Sequence, residues 1–500
     1  MIIPDLSAID LTTYSLTAPV EALIQELLNA VEKLTARVEE LEIENQRLRD
    51  ENARLKGEKE RPRFKPSRSK NSSPSFQKKG SPTQEESEDE RPRHKKIQID
   101  RTEIISLERD QLPEDVKHRG YREVVIQNIR FETDTVLYRL ERMSSESSGE
   151  FYEARLPEGL QGQSYGSELQ AFVIMLYFEL RVPQEKILNL LESQGIVISA
   201  GTISNILIKK HKDVFVEERQ ELLRAGLQTT SYHHIDDTGA RENGDNCYFT
   251  TLCNPYYTSF FTHSRKDKDT IANLLSCLDG ETSSCTARGD PLEEPTEADS
   301  SLRRYILILM ADDASQFHNQ TLYRALCWIH EERHYKKLHP FFEKHQKLVD
   351  DFREQLWAYY WKLKAYQQNP DDALQQVLSD QFDELFSQQT GYDELDHRIA
   401  LTREKKSALL LVLKFPEVPL DNNEAERALR EYVIKRKISN GTRTPEGSLA
   451  WEIFLSLVDT CRKNGVNFYK YLQDRISKSY QMPSLASLIL AQGTSVTTPS

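Results

Sequence analysis

Near the amino terminus the apolar positions repeat with a period of seven. Leucine stands at 27, 34, 41, 48 and 55, and three residues before each stands Ile24, Val31, Val38, Asn45 or Asn52. This pattern predicts a leucine-zipper coiled coil over residues 20–58. β-Branched residues at the first core position with leucine at the second favour two parallel strands, and a buried asparagine pair sets register. The natural partner is a second copy, giving a homodimer or higher oligomer through the zipper.

The pattern then lapses. Residues 59–96 are Ser, Pro, Lys, Arg and Glu with almost no aliphatic side chain, predicting a disordered linker with a basic half and an acidic half. It reads either as a tether or as an arm whose basic half lies along a phosphate backbone. Alternating apolar residues in REVVIQNIRFE, DTVLYRLERM and EFYEARLP predict a small antiparallel sheet within residues 97–160. Residues 165–227 turn helical: an apolar helix from Leu169 is followed by EKILNLLESQGIVISAGTISNIL, two helices with a Gly195 turn and a Ser199 cap. That is helix-turn-helix grammar, and Lys209, Lys210, His211 and Lys212 at its end are candidate DNA contacts.

After Leu227 the chain reads as strands: TSYHHID, NCYFTTLCN and YYTSFFT, then a helix from Asp269, an acidic surface insertion at 279–300, and the buried run YILILMA. Three strands, a helix and another strand is the order of a ribonuclease H-like mixed sheet with flanking helices. A catalytic domain of residues 228–338 and 415–475 is interrupted by a helical insertion at 340–414. There Phe352, Leu356, Tyr360 and Leu363, then Leu374, Leu378, Phe382 and Leu385, recur at helical spacing, with Trp357 and Trp361 assigned to the same core. A helix from Leu449 and a disordered tail over residues 479–500 complete a multidomain α/β protein.

Composition changes this picture little. A net charge of −13 over 500 residues argues against nucleic acid only if spread evenly, and the basic stretches are local. Six scattered cysteines without a CxxC pair argue against a disulfide framework or zinc knuckle and suit a reduced cytosolic protein. No apolar run approaches the roughly 18 residues needed to span a bilayer.

The candidate chemistry lies where acids end strands. The first run closes on Asp236 and Asp237, the buried run on Asp312 and Asp313, and downstream comes LDNNEAERALR with Glu426. In the expected sheet the first and fourth strands are neighbours, so their carboxylates converge. Hard oxygen ligands suit Mg²⁺ or Mn²⁺, and three carboxylates can hold two ions about 4 Å apart. Asp236 and Asp312 are preferred as the last residue of each strand, with Asp237 and Asp313 in support. Lys435, Arg436, Lys437 and Arg443, beyond the glutamate helix, are further candidate phosphate contacts.

IDDTG, ADDASQF, CWIHEERH and LDNNEAERALR resemble, in order and setting, the motifs of bacterial DDE transposases of the insertion-sequence family numbered sixty-six. The resemblance implies that Asp236, Asp312 and Glu426 bind the metal ions, and that Asn422, Asn423, Arg427 and Arg430 orient the glutamate or hold a phosphate. It implies a transposase that cleaves and joins DNA at the ends of a mobile element, inserting into target DNA with possible accessory proteins of the element. A DNA-binding regulator that has lost the chemistry is the alternative. Cys327, Trp328, His330 and Arg333 match a third motif, read as a packed strand-to-helix corner in preference to a metal or DNA contact. The family's cysteine-rich zinc ribbon has no counterpart, because Lys96 to Leu156 contains no cysteine.

Overall fold

The computed structural model describes residues 18–55, 99, 101–104, 121, 124–126, 132–146, 148–156, 161–279 and 306–493. The linker at 59–96, most of the run REVVIQNIRFE and the acidic stretch at 279–300 therefore lie outside the described residues, apart from a few positions. The chain divides into two units, Met1–Val38 with Thr133–Ser500, and Glu39–Glu132. The described part of the second is the later part of helix α1 and short stretches without regular secondary structure.

Helix α1 runs Ala18–Leu55. Among the described residues, the expected small sheet is a hairpin of β1 (Arg142–Ser144) and β2 (Phe151–Glu153). Met143, Phe151 and Tyr152 on it are exposed. The two strands are three residues long and bury no face.

Helices α2 (Ser167–Phe178), α3 (Gln184–Ser193), α4 (Ala200–Ile208) and α5 (Lys212–Leu227) follow. Gly195 takes φ +78° in the turn, and the Ser199 hydroxyl caps α4 by accepting from the Thr202 amide. Their apolar faces meet in one core: Ile187, Ile203, Phe215 and Leu222 are buried.

The central sheet has the order β5-β4-β3-β6-β7. Strands β3 (Tyr232–Glu242), β4 (Asp245–Cys253) and β5 (Thr258–His263) form an antiparallel meander. Asn243 and Gly244, both at positive φ, make the two-residue turn that joins the first pair. After α6 (Lys268–Asp279), β6 (Ile308–Ala311) pairs parallel to β3, and β7 (Tyr323–Leu326) parallel to β6. All four residues of β6 are buried, as the unbroken apolar run implies.

α7 (Trp328–Lys336) leads into the insertion of α8 (Glu343–Gln368), α9 (Asp372–Leu385), α10 (Asp393–Glu404), α11 (Lys406–Leu409) and α12 (Leu411–Lys414). Its core holds Phe352, Leu356, Tyr360, Leu363, Leu378, Phe382 and Leu385, and Trp328 of α7 enters it. Leu374 is exposed, and so is Trp361, which the periodicity assigned to the core.

The chain returns to the sheet through α13 (Asn423–Ser439) and α14 (Pro445–Lys463). Along α14, Glu452, Ser456 and Thr460 accept hydrogen bonds from the Thr262, Phe260 and Thr258 amides of edge strand β5. Residues four apart share a helix face and alternate residues share a strand edge, so one helix closes an edge open to foreign pairing. α15 (Phe468–Ile476) and α16 (Leu485–Gln492) complete the layer. The tail expected to be disordered from 479 is thus partly helical: Ser484 caps α16, and Leu485 and Ile489, one turn apart, are fully buried.

Candidate active site

The site is built by the loop that precedes α13. Asn422, fully buried, donates from Nδ2 to the Ile235 carbonyl (2.9 Å), and its Oδ1 lies 2.8 Å from His234 Nδ1. Burial lowers His234 to about 4, so the ring is neutral, and the amide's geometry assigns its proton to Nδ1. The Asn422 amide donates to Cys327 Sγ (3.3 Å) and the Trp328 amide to the Leu420 carbonyl (2.9 Å). One asparagine thus joins β3, the β7–α7 corner and the start of α13. The far end of α13 is pinned too: the Thr442 amide donates to the Arg241 carbonyl (3.0 Å), the Thr442 carbonyl accepts from the Asn243 amide (2.8 Å), and Gly441, at φ +105°, lies where a Cβ would meet the Arg241 carbonyl at 2.5 Å.

Asp236 does not end its strand, since β3 continues to Glu242 against β4. What ends there is the parallel pairing, whose last register is His234 with Met310. Asp236 stands two residues beyond it and Asp312 follows β6, so both lie at the carboxyl end of the parallel pair. Burial raises the Asp236 carboxyl to about 7, its bond from the Asp237 amide opposes this, and the negative charges of Asp312, Asp237 and Glu426 reinforce it.

The second member of each doublet is neutralised differently. Asp237 pairs with Lys266 Nζ at 2.5 Å and accepts from Gln316 Nε2 at 2.8 Å. Asp313 meets Lys405 Nζ (2.7 Å), Arg324 Nη1 (3.2 Å) and His318 Nε2 (3.3 Å). Burial alone would raise the Asp313 carboxyl, but the Lys405 hydrogen bond and the three charges hold it below its usual range. Among the described residues no cation pairs with Asp236 or Asp312. The cationic partners carry no sequence motif and come from four separate segments.

Glu426, one turn into α13, receives Arg333 Nη2 at 3.2 Å and lies 3.7 Å from His330 Nε2. Its Oε1 is buried without a hydrogen bond among the described residues. Cys327, His330 and Glu426 each bring one ligand-type atom within 4.8 Å of the others. Burial pushes the Cys327 thiol up to about 11, and Arg333 Nη1 lies 3.1 Å from His330 Nε2. The third motif therefore has two halves. Cys327 and Trp328 form the expected packed corner, with Trp328 Nε1 donating to the Leu409 carbonyl (3.0 Å), whereas His330 and Arg333 face the glutamate.

The arginines expected to frame Glu426 do not touch it. Arg427 is exposed and pairs with Glu424 at 2.5 Å, and Arg430 and Asn423 are exposed as well. Spacing within one helix favours near neighbours, while the partner that reaches Glu426 comes from α7. Of the basic candidates, Lys209, Lys212, Lys437 and Arg443 are exposed and Lys210 is half-buried. Lys212 opens α5 rather than ending α4, so the helix dipole there suits an anion. Arg436 is half-buried with its guanidinium 5.8 Å from the Tyr432 ring centre.

Lys435 is a correction. It is 2% exposed, its ammonium lies 3.4 Å from the Tyr177 ring centre and 5.0 Å from that of Trp451, and it donates to the Tyr177 carbonyl at 2.6 Å. Enclosed by α2 and α14, it offers nothing to a phosphate.

Among the described residues no helix is long and apolar enough to cross a membrane. The family described as Transposase IS66 matches over residues 162–450, which covers α2 to α13 and every acidic residue of the site. The chain is 31% identical over 328 residues to "Uncharacterized protein y4jO" of Sinorhizobium fredii, covering 54% of this chain and all of that one. It is 24% identical over 173 residues to "Uncharacterized protein y4qI" of the same organism, covering 33% of this chain and 32% of that one. With the match spanning more than half of its length and including the site, the chain belongs to the transposase IS66 family.

Proposed function

We propose that this protein is a DDE-type transposase that cleaves DNA at the ends of a mobile element and joins them to target DNA by metal-assisted phosphoryl transfer. The observation that carries the reading is the placement of Asp236 and Asp312 together at the carboxyl end of the parallel β3–β6 pair, with α13, which bears Glu426, tied to β3 through Asn422. The strand order β5-β4-β3-β6-β7, antiparallel on one side of β3 and parallel on the other, supports a ribonuclease H-like core.

The residues fit divalent cations. The donors are hard oxygens, Asp236 and Asp312 lack cation partners among the described residues, and Glu426 Oε1 is buried without a hydrogen bond. Mg²⁺ or Mn²⁺ held there, two ions in the full reading, would supply Lewis acidity at a phosphate. The chain's own groups do the positioning. Asn422 fixes the start of α13 against β3, Arg333 and His330 orient Glu426, and Lys266 and Lys405 hold the second aspartates out of the way. Exposed Lys209, Lys212, Lys437 and Arg443 supply phosphate contacts, α3 and α4 act as a helix-turn-helix, and the heptads of α1 join two copies.

The test is Mg²⁺-dependent cleavage and strand transfer on element-end DNA by the full chain and by Asp236→Asn, Asp312→Asn and Glu426→Gln. Loss of about a thousandfold or more in each variant, with DNA binding kept, is expected. Wild-type protein that binds this DNA yet never cleaves it would favour the regulator reading.

A further inference from the structure

Helix α1 has two working faces. Gln25, Asn29, Glu32 and Lys33, spaced four, three and one residues apart, lie on one side and meet the insertion. Glu32 Oε1 accepts from the Phe341 and Phe342 amides (3.0 and 3.1 Å), just before α8 begins, where a helix leaves backbone donors without internal partners. The same oxygen lies 3.0 Å from His345 Nδ1, and Gln25 Nε2 lies 2.7 Å from His345 Nε2. Gln25 and Asn29 both donate to the Gly391 carbonyl (2.8 and 3.0 Å), and Asn29 and Lys33 reach the Asp393 carboxylate (3.1 and 2.5 Å). His345 is fully buried and stacks on Tyr392 at 4.4 Å, while Asn29 and Glu32 are each 8% exposed. This is a built polar interface, in which Asn29 Oδ1 and Glu32 Oε2 are left buried without a hydrogen bond among the described residues.

None of these four residues is a core position of the heptads. At 100° per residue, Leu27 and Leu34 point about 180° away from the polar stripe. They are 57% and 67% exposed, with Val20, Leu23 and Val38 exposed beside them. An apolar stripe of that length facing water is not what an isolated surface helix presents.

We propose that α1 is a two-sided adaptor: its polar face latches onto its own chain's insertion, at the start of α8 and the turn before α10, while its leucine face takes the same helix of a second copy. The second copy is the occupant because the heptads continue to Leu55 with β-branched and asparagine residues at the other core position, a parallel, self-complementary pattern. The consequence is mechanical. Zipper pairing would fix the separation of two insertions, and each insertion is fastened through Trp328 to the corner that carries His330 and Arg333. The partner's identity rests on the dimer reading above, whereas the latch rests on its own hydrogen bonds.

The test uses the full chain, with mass from light scattering and amide hydrogen exchange at Phe341 and Phe342. Wild type should be dimeric with both amides protected. Leu27→Lys with Leu34→Lys should be monomeric with protection unchanged. Asn29→Lys with Glu32→Lys should remain dimeric but exchange at least about tenfold faster there, and Glu32→Gln, which keeps an acceptor oxygen, should retain most of the protection. A monomeric wild type would overturn the leucine-face pairing alone. Unchanged exchange in the Asn29 and Glu32 double variant would overturn the latch. Deprotection in the leucine variant would mean that the helix docks on the partner's insertion, against the arrangement within one chain.

Discussion

Arg333 Nη2 stands 3.2 Å from Glu426 Oε2, linking the CWIHEERH corner to the LDNNEAERALR helix across 93 residues of sequence. Two motifs that read separately are thereby one device. The glutamate is aimed by a cation from a different helix, not by the arginines of its own.

Arg333→Ala should accordingly impair catalysis more than stability. A second residue that orients a metal-binding group typically contributes a factor of about 10 to 100. Because Arg333 is about half exposed, unfolding free energy should change by no more than about 0.5 kcal/mol. The distinguishing readout is the Mg²⁺ concentration for half-maximal cleavage, which should rise and be partly restored by Arg333→Lys. A rate loss with unchanged metal dependence would place Arg333 on DNA instead.

Asn422→Ala should behave in the opposite way. It removes two buried hydrogen bonds and leaves the His234 ring and the Ile235 carbonyl without their partner, at a cost of roughly 2 to 4 kcal/mol. Urea denaturation would measure it. A loss below about 0.5 kcal/mol would show that the loop before α13 is held elsewhere.

Lys435 should reveal itself through pH. Burial, with the nearby charge of Arg181, lowers its pKa to about 7 from an ordinary 10.5. The folded chain therefore binds fewer protons than the unfolded chain between those values, so this residue's contribution to stability rises with pH from about 7 upward and its cost is complete below. Three ring faces offset part of that cost. Relative to Lys435→Met, wild type should gain on the order of 1 to 2 kcal/mol between pH 6 and pH 9. Equal differences at both pH values would contradict the buried placement, and so would a DNA affinity in the variant several-fold below wild type.

Much of the frame was legible because it depends on neighbours in sequence. The heptads before Leu55, the Ser199 cap, the Asn243-Gly244 turn, the alternation through β3 to β5 and the unbroken run of β6 are local signals of periodicity or backbone conformation. Where local signals were thin, expectations slipped. The hairpin at 142–153 is smaller and more exposed than its alternation suggested, and the tail hides an eight-residue helix whose apolar pair needed α5 to pack against. Trp361 shows that helical spacing places a residue on a face without deciding whether anything covers it.

For the candidate site, sequence order marked the two acidic doublets and the glutamate helix downstream, since residue type and local alternation suffice for that, but it ended the first strand at Asp236 where β3 runs on to Glu242. It could not say which member of a doublet is free. That depends on Lys266, Gln316, Arg324 and Lys405, whose positions beside Asp237 and Asp313 follow from the closing of the sheet and the docking of the insertion. Nor could it reveal that Lys435 is enclosed by aromatic rings, that His330 and Arg333 turn toward Glu426, or that the polar side of α1 is spoken for. Each is a contact between segments far apart in the chain, and burial and electrostatic pairing exist only once the fold has brought those segments together.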